Sequence, residues 1–412
     1  MSKKAKCLLA AAIIFAAGAA VVMFVLSHNT GEMKKDTDYT YLKNMQADSD
    51  DPQSYWATNG HNFAKAEGGY YFLNELGNSL MFFDADTKEI IPVCGKPECQ
   101  HNDKDCNAYL GRGSHLLGSI YYYQGYIYLF KLSNGNAAVE QIEPDGSSRR
   151  VIAEVMPNDG TTSLYMAFHN GCAYVYDHSG HLHSDEEHTE CIKEVSLETG
   201  EVRNIYEITG INLAIDNAKS FGGKLFFVVE QGCKNEDTGI IALKGQGLFA
   251  YDYGTKQVYC INESDIYDYY MDIENNNLYY YINGEGLYKA DINTMESSLI
   301  YQASKEMDMC QISYDGKYVY LNNMRWSAYK NISRKNAKCV VINPNGEIVN
   351  EIPCSGFLHI YYGDSEYMFA LKPGEGAMNG LVYIEKSNIE TIKEWTQISK
   401  SEIEIYSGRG SD

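Results

Sequence analysis

A turn followed by a short apolar strand recurs seven times along this chain, and that recurrence limits the possible folds more than any other feature. The clearest copy is Asp315-Gly316-Lys317-Tyr318-Val319-Tyr320-Leu321. The counterparts of Gly316 are Gly68, Gly125, Gly171, Gly223, Asn276 and Ser365, each leading into a run such as Tyr70-Tyr71-Phe72 or Leu225-Phe226-Phe227. Gly and Asn tolerate the positive φ of a tight hairpin turn, and aromatic and β-branched residues suit the pleated surface that follows.

A second signal follows each first one. An apolar strand ends in a polar residue, a few residues turn the chain, and another strand starts. The markers are Asp84, Glu143, Ser196, Asp252, Asp291, Asn343 and Glu385. Neighbouring first markers differ by 57, 46, 52, 53, 40 and 49, and neighbouring second markers by 59, 53, 56, 39, 52 and 42. The two sets keep pace, as two hairpins per repeat would. Two hairpins in about 40–50 residues is the signature of a four-stranded propeller blade. A lone blade cannot cover its own faces, but blades packed in a ring cover one another and leave only short edges. The expectation is an all-β chain, a β-propeller of seven four-stranded blades. An open solenoid or a pair of sandwiches is the competing architecture.

Composition agrees. The 35 tyrosines suit sheets in which a ring packs against the core and its hydroxyl reaches a partner. The net charge of −21 repels phosphate backbones and argues against a nucleic-acid partner.

Ahead of the repeats, Lys3, Lys4 and Lys6 precede an uncharged run from Cys7 to Leu26. Twenty residues at 1.5 Å each span the ~30 Å hydrocarbon core of a bilayer, and the lysines favour a cytoplasmic N-terminus. We expect an uncleaved anchor rather than a cleaved export signal, because Val21 to Leu26 stays apolar beyond the small residues Ala16 to Ala20. Cys7 stands at the wrong end of the run for a lipoprotein signal. The expected organisation is a cytoplasmic tip and transmembrane helix over 1–27, a polar tether over 28–58, the propeller over 59–399 and a tail over 400–412. The propeller would then lie outside the cell, on a single-pass membrane protein.

Two stretches interrupt the repeat. Residues 94–117 hold Cys94, Cys99, His101 and Cys106. Three thiols and an imidazole can close a tetrahedral zinc site, while an oxidising compartment would favour a disulfide between two of the thiols, with Cys354 a possible distant partner for the third. Residues 177–191 hold His178, His181, His183, Asp185, His188 and Cys191, where extended backbone would put His181, His183 and Asp185 on one face. A solvated hairpin tip is the competing reading. No Gly-x-Ser-x-Gly elbow, His-Glu-x-x-His or phosphate-binding loop is present.

The paired hairpins across 60–398 resemble β-propellers of the low-density-lipoprotein-receptor-related type, although the Tyr-Trp-Thr-Asp tetrad of the receptor propellers is replaced here by Leu278-Tyr279-Tyr280-Tyr281 and Tyr318-Val319-Tyr320. The segment from Val93-Cys94 to Cys106-Asn107-Ala108-Tyr109-Leu110 resembles one in membrane-anchored, exported propeller proteins of Gram-positive bacteria. These resemblances imply the fold and export, and no activity. The functional expectation is a module that binds an extracellular protein or glycan. The alternative is a hydrolase or lyase acting on glycans or peptides in the central channel.

Overall fold

The computed structural model describes residues 39–50, 63–73, 79–111, 115–158, 163–178, 186–234, 241–304, 307, 310–323, 337–354, 359–361, 363–371 and 381–398. The expected transmembrane helix and the tail from 400 on fall outside these residues. Among the described residues, no helix is long and apolar enough to cross a membrane.

The described chain forms seven four-stranded antiparallel sheets. Blade 1 contains β1 (Phe63–Ala66), β2 (Gly69–Leu73), β3 (Leu80–Asp84) and β4 (Ile90–Pro92). Blade 2 contains β5 (His115–Tyr123) to β8 (Arg149–Pro157), and blade 3 β9 (Leu164–His169) to β12 (Val202–Ile211). Blade 4 runs from β13 (Leu213–Phe221) through β14 (Lys224–Lys234) and β15 (Ile241–Asp252) to β16 (Val258–Asn262). Blades 5, 6 and 7 start at β17 (Ile266–Asp272), β21 (Gln311–Tyr314) and β25 (His359–Tyr361), and blade 7 ends at β28 (Thr396–Gln397). In every blade the strands pair in chain order, and in blades 1 to 6 the first strand lies innermost, against the first strands of neighbouring blades.

Both sequence markers have a structural cause. The first set forms the turns between first and second strands: Gly68, Gly125, Gly171, Gly223, Asn276 and Gly316 all hold positive φ. In blade 7 that role passes to Gly363, two residues before the Ser365 marker. The second set caps the turns between third and fourth strands. Asp84, Asp252 and Asp291 each accept amides two and three residues ahead on Oδ1. A short side-chain acceptor that bonds the chain just ahead of it fixes the turn locally.

Each inner strand has one edge unpaired within its own sheet, and side chains of the preceding blade meet some of its amides. Tyr121 Oη accepts Met166 N–H at 2.9 Å, Tyr176 Oη accepts Ala218 N–H at 3.2 Å, and Asp268 Oδ2 accepts Ile312 N–H at 2.8 Å. These bonds satisfy buried amides that would otherwise carry a desolvation cost of about 1–3 kcal/mol each.

Blades 1 and 7 are each complete, and the ring closes through side chains instead of a shared strand. Phe63 stacks on Phe369 at 4.4 Å, Tyr70 meets Phe369 edge-on, and Ile398 is buried in the same cluster.

Part of the stretch expected as a tether lies against the ring. Leu42 is fully buried and Met45 nearly so, in a cluster shared with blades 4, 5 and 6. Tyr41 stacks on Tyr259 at 4.0 Å. Further along, Asp50 accepts Asn170 N–H at 2.7 Å and the Tyr123 hydroxyl at 3.0 Å. Residues 39–50 therefore pass from blades 4 and 5 to blades 2 and 3 along the end of the ring that carries the first-to-second-strand turns.

Candidate metal centre and the polar ends of the inner strands

The connection from β4 to β5 leaves blade 1 and returns to it at one residue. Val93 N–H donates to Leu80 O at 3.0 Å, and Leu80 N–H donates to Ala108 O at 2.8 Å. The chain between them is a loop whose two necks rest on Leu80, the geometry of a compact surface Ω-loop. Its outer side touches the turn between the third and fourth strands of blade 2. Gly95 N–H donates to Asp145 O, and Arg149 donates to Asn107 O.

Inside the loop the four residues singled out by spacing come together. The ligand atoms of Cys94, Cys99, His101 and Cys106 all lie within 4.8 Å of one another. A zinc tetrahedron with Zn–S bonds of about 2.3 Å has S···S edges of about 3.8 Å, so the four donors fit that size. His101 Nδ1 stands 3.3 Å from Cys106 Sγ, and His101 N–H donates to Cys99 Sγ at 3.4 Å. Cys94 takes amides from Lys96 and Asn107, and Cys106 takes one from Ala108. His101 itself holds φ of 57°, a conformation that costs a non-glycine residue energy and turns the backbone sharply at the cluster.

Burial pushes the Cys94 thiol up, but the amides of Lys96 and Asn107 and the thiols of Cys99 and Cys106 outweigh it and leave it below the usual thiol range. Cys106 is pushed up to about 12, by burial first and then by its two neighbouring sulfurs. Three thiols this close cannot all ionise without a cation between them. No two of Cys94, Cys99 and Cys106 are joined in a disulfide. Cys354 lies in the core between blades 6 and 7, so it is no partner for this loop.

The second cluster falls partly outside the described residues: His181, His183 and Asp185 are not described. His178 is described, and its Nδ1 meets Asp216 Oδ1, on the inner strand of blade 4, at 2.6 Å.

His178 belongs to a set of polar groups on and beside the inner strands that the motifs did not reveal. Lys219 Nζ meets Asp268 Oδ1 at 2.9 Å, with both side chains almost completely buried, and also donates to Tyr269 O at 2.6 Å. Burial pushes Asp268 up, although Lys219 and two amides pull against it. His115 Nε2 lies 2.7 Å from Glu140 Oε2, and Lys131 Nζ lies 2.8 Å from Glu140 Oε1. Burial alone would raise Glu140, but the bonds from His115 and Lys131 hold it down at about 2. Such a carboxylate stays charged at neutral pH and can accept a proton bond without donating one. The signal available in the sequence was a charged residue inside a strand that is buried throughout, as with Asp216 and Lys219 in β13.

The connections at the two ends of the ring are unequal in length. The turns from first to second strand are short throughout, as from Ala66 to Gly69 and from Tyr123 to Tyr126. The connections from second to third strand range from Ser133 to Asn136 in blade 2 up to Asn322 to Lys338 in blade 6 and Leu371 to Leu381 in blade 7.

No family model matches the chain. No curated protein matches it. Many solved structures do. The tricorn protease aligns at a TM-score of 0.50 with 11% identity, over 87% of this chain and 36% of that one. YCF48 bound to D1 peptide aligns at 0.44 with 10% identity, over 83% of this chain and 99% of that one. The nidogen/laminin complex aligns at 0.39 with 8% identity, over 72% and 91%. At such identities the likeness concerns the propeller fold alone, and the chain spans little more than a third of the tricorn protease.

Proposed function

We propose that this chain is a single-pass, membrane-anchored propeller of the low-density-lipoprotein-receptor-related type, held outside a Gram-positive cell, that binds a protein or glycan ligand. The observation that carries the binding reading is the asymmetry of the ring. One end has short, side-chain-capped turns and holds the 39–50 strap. The other end bears the long, unequal connections of blades 3, 6 and 7. A rigid scaffold that varies its loops at one end is the arrangement by which recognition surfaces are built. The strap supports the orientation: it ties the chain that follows the apolar leader to the short-turn end, opposite the end where the second and third strands of blades 3, 6 and 7 are connected.

The enzyme alternative draws less support. The described charged groups near the channel, Lys219 with Asp268 and His178 with Asp216, engage one another across blades or sheets. The test is a glycan and peptide array probed with the full-length chain, beside variants in which 324–336 or 373–379 is replaced by a short Gly-containing turn. Binding that is lost in a variant with unchanged thermal unfolding supports the reading. Binding that survives both replacements overturns the assignment of the face, and release of a cleaved glycan or peptide overturns it in favour of the enzyme. Location is tested by fractionation and protease accessibility in intact Gram-positive cells.

A further inference from the structure

We infer that Cys94, Cys99, His101 and Cys106 form a structural zinc(II) site that fastens the loop between blades 1 and 2. Four separate observations meet here. The donor atoms lie within 4.8 Å of one another and come from one loop. Each sulfur accepts an amide from two residues ahead: Lys96 to Cys94, His101 to Cys99 and Ala108 to Cys106. A neutral thiol is a weak acceptor, so this pattern suits three thiolates, which is the state metal binding requires. Three thiolates around a dication leave one net negative charge, and the half-buried Arg149 stands beside Cys106, where it offsets that charge. The loop also has little core of its own, since Lys96, Pro97, Glu98, Asp103, Lys104 and Asp105 are exposed.

The ligand set points to the role. Soft thiolates with one imidazole favour zinc over magnesium or calcium, and four protein donors leave no open position for a reacting water. The site is therefore a clasp. It holds Val93 and Ala108 on Leu80 and presents Gly95 and Asn107 to the turn of blade 2, which ties the first two blades together at their outer strands. A disulfide would use two of the sulfurs and leave the third with its amide and His101 without a purpose.

The test uses the full-length chain purified in detergent under reducing conditions. Mass-spectrometric metal analysis should find one zinc per chain. Cobalt(II) exchanged for zinc should give the intense visible bands of a tetrahedral site together with thiolate charge transfer in the near ultraviolet. Cys99→Ser and Cys106→Ser should lose the metal and lower the midpoint of thermal unfolding, while Cys260→Ser, at a cysteine outside the loop, should keep it. The spectrum of the unaltered chain does not depend on any variant folding. Substoichiometric zinc with no tetrahedral cobalt spectrum overturns the inference, as does a bond between two of the loop cysteines in non-reducing peptide mapping of chain taken directly from cells.

Discussion

Tyr70 in the first blade donates its hydroxyl to Asp364 in the last at 2.8 Å, joining residues 294 positions apart. Asp364 is almost wholly buried and also takes Lys65 Nζ at 2.5 Å. Burial would raise this carboxyl, but Lys65, the amide of Glu366 and Tyr70 hold it below the usual range. Asp364→Ala takes away the carboxylate that accepts the Tyr70 hydroxyl and removes one of the two carboxylates that meet Lys65 at the ring's closure, leaving Glu366 as the other. The expected loss is about 2–4 kcal/mol in urea unfolding, against about 1 kcal/mol for Tyr70→Phe. Equal, small effects of both changes would mean that the closure draws little from this bond.

Leu42 fixes the strap. Its side chain is fully buried in a cluster made mostly by blades 4, 5 and 6. Leu42→Ala should cost about 2–4 kcal/mol, within the range for large-to-small changes in a core, and should expose 39–50 to limited proteolysis. An unchanged unfolding midpoint and an unchanged digestion pattern would show that the strap is dispensable.

Glu140 makes the fold sensitive to acid in one direction. Its carboxyl titrates at about 2 in the folded chain against an ordinary 4.5. A depressed folded value adds stability that is complete above the unfolded value and is lost as pH falls from 4.5 towards 2. The gap corresponds to at most about 3 kcal/mol. The stability difference between the unaltered chain and Glu140→Gln should be largest near neutral pH and should shrink across that window. A difference that stays constant down to pH 2 would contradict the assignment.

Gly346 and Gly125 separate two causes of glycine preference. Both hold positive φ, 91° and 86°. A Cβ on Gly346 would stand 2.1 Å from the carbonyl oxygen of Ile300 in blade 5, whereas one on Gly125 would meet nothing within 4 Å. Gly125→Ala should cost about 1–2 kcal/mol from backbone strain alone. Gly346→Ala should cost clearly more, because the turn of blade 6 must draw back from its neighbour. Thermal unfolding of the pair gives the comparison.

The blade count could be read from the chain because each blade needs a residue that accepts positive φ at one turn and a short polar acceptor at the other. Gly316 and Asp252 advertise those needs in any context. The clustering of Cys94, Cys99, His101 and Cys106 was legible for a related reason: the four are neighbours in sequence, so spacing carries their geometry. The Lys219–Asp268 pair left no such trace, since its partners lie 49 residues apart on different blades and meet only once the ring exists. The strap was equally hidden. Leu42 and Met45 are two apolar residues in a polar stretch with no period, and only the surface they reach distinguishes them from a linker.

The route of residues 39–50 also decides where force would enter the molecule. A pull on the chain ahead of Tyr39 reaches the ring first through Tyr41 and Leu42, at blades 4 and 5. The seam between Phe63 and Phe369 lies downstream of that grip and is shielded from the load. Tension would have to peel the strap away before it could begin to open the circle.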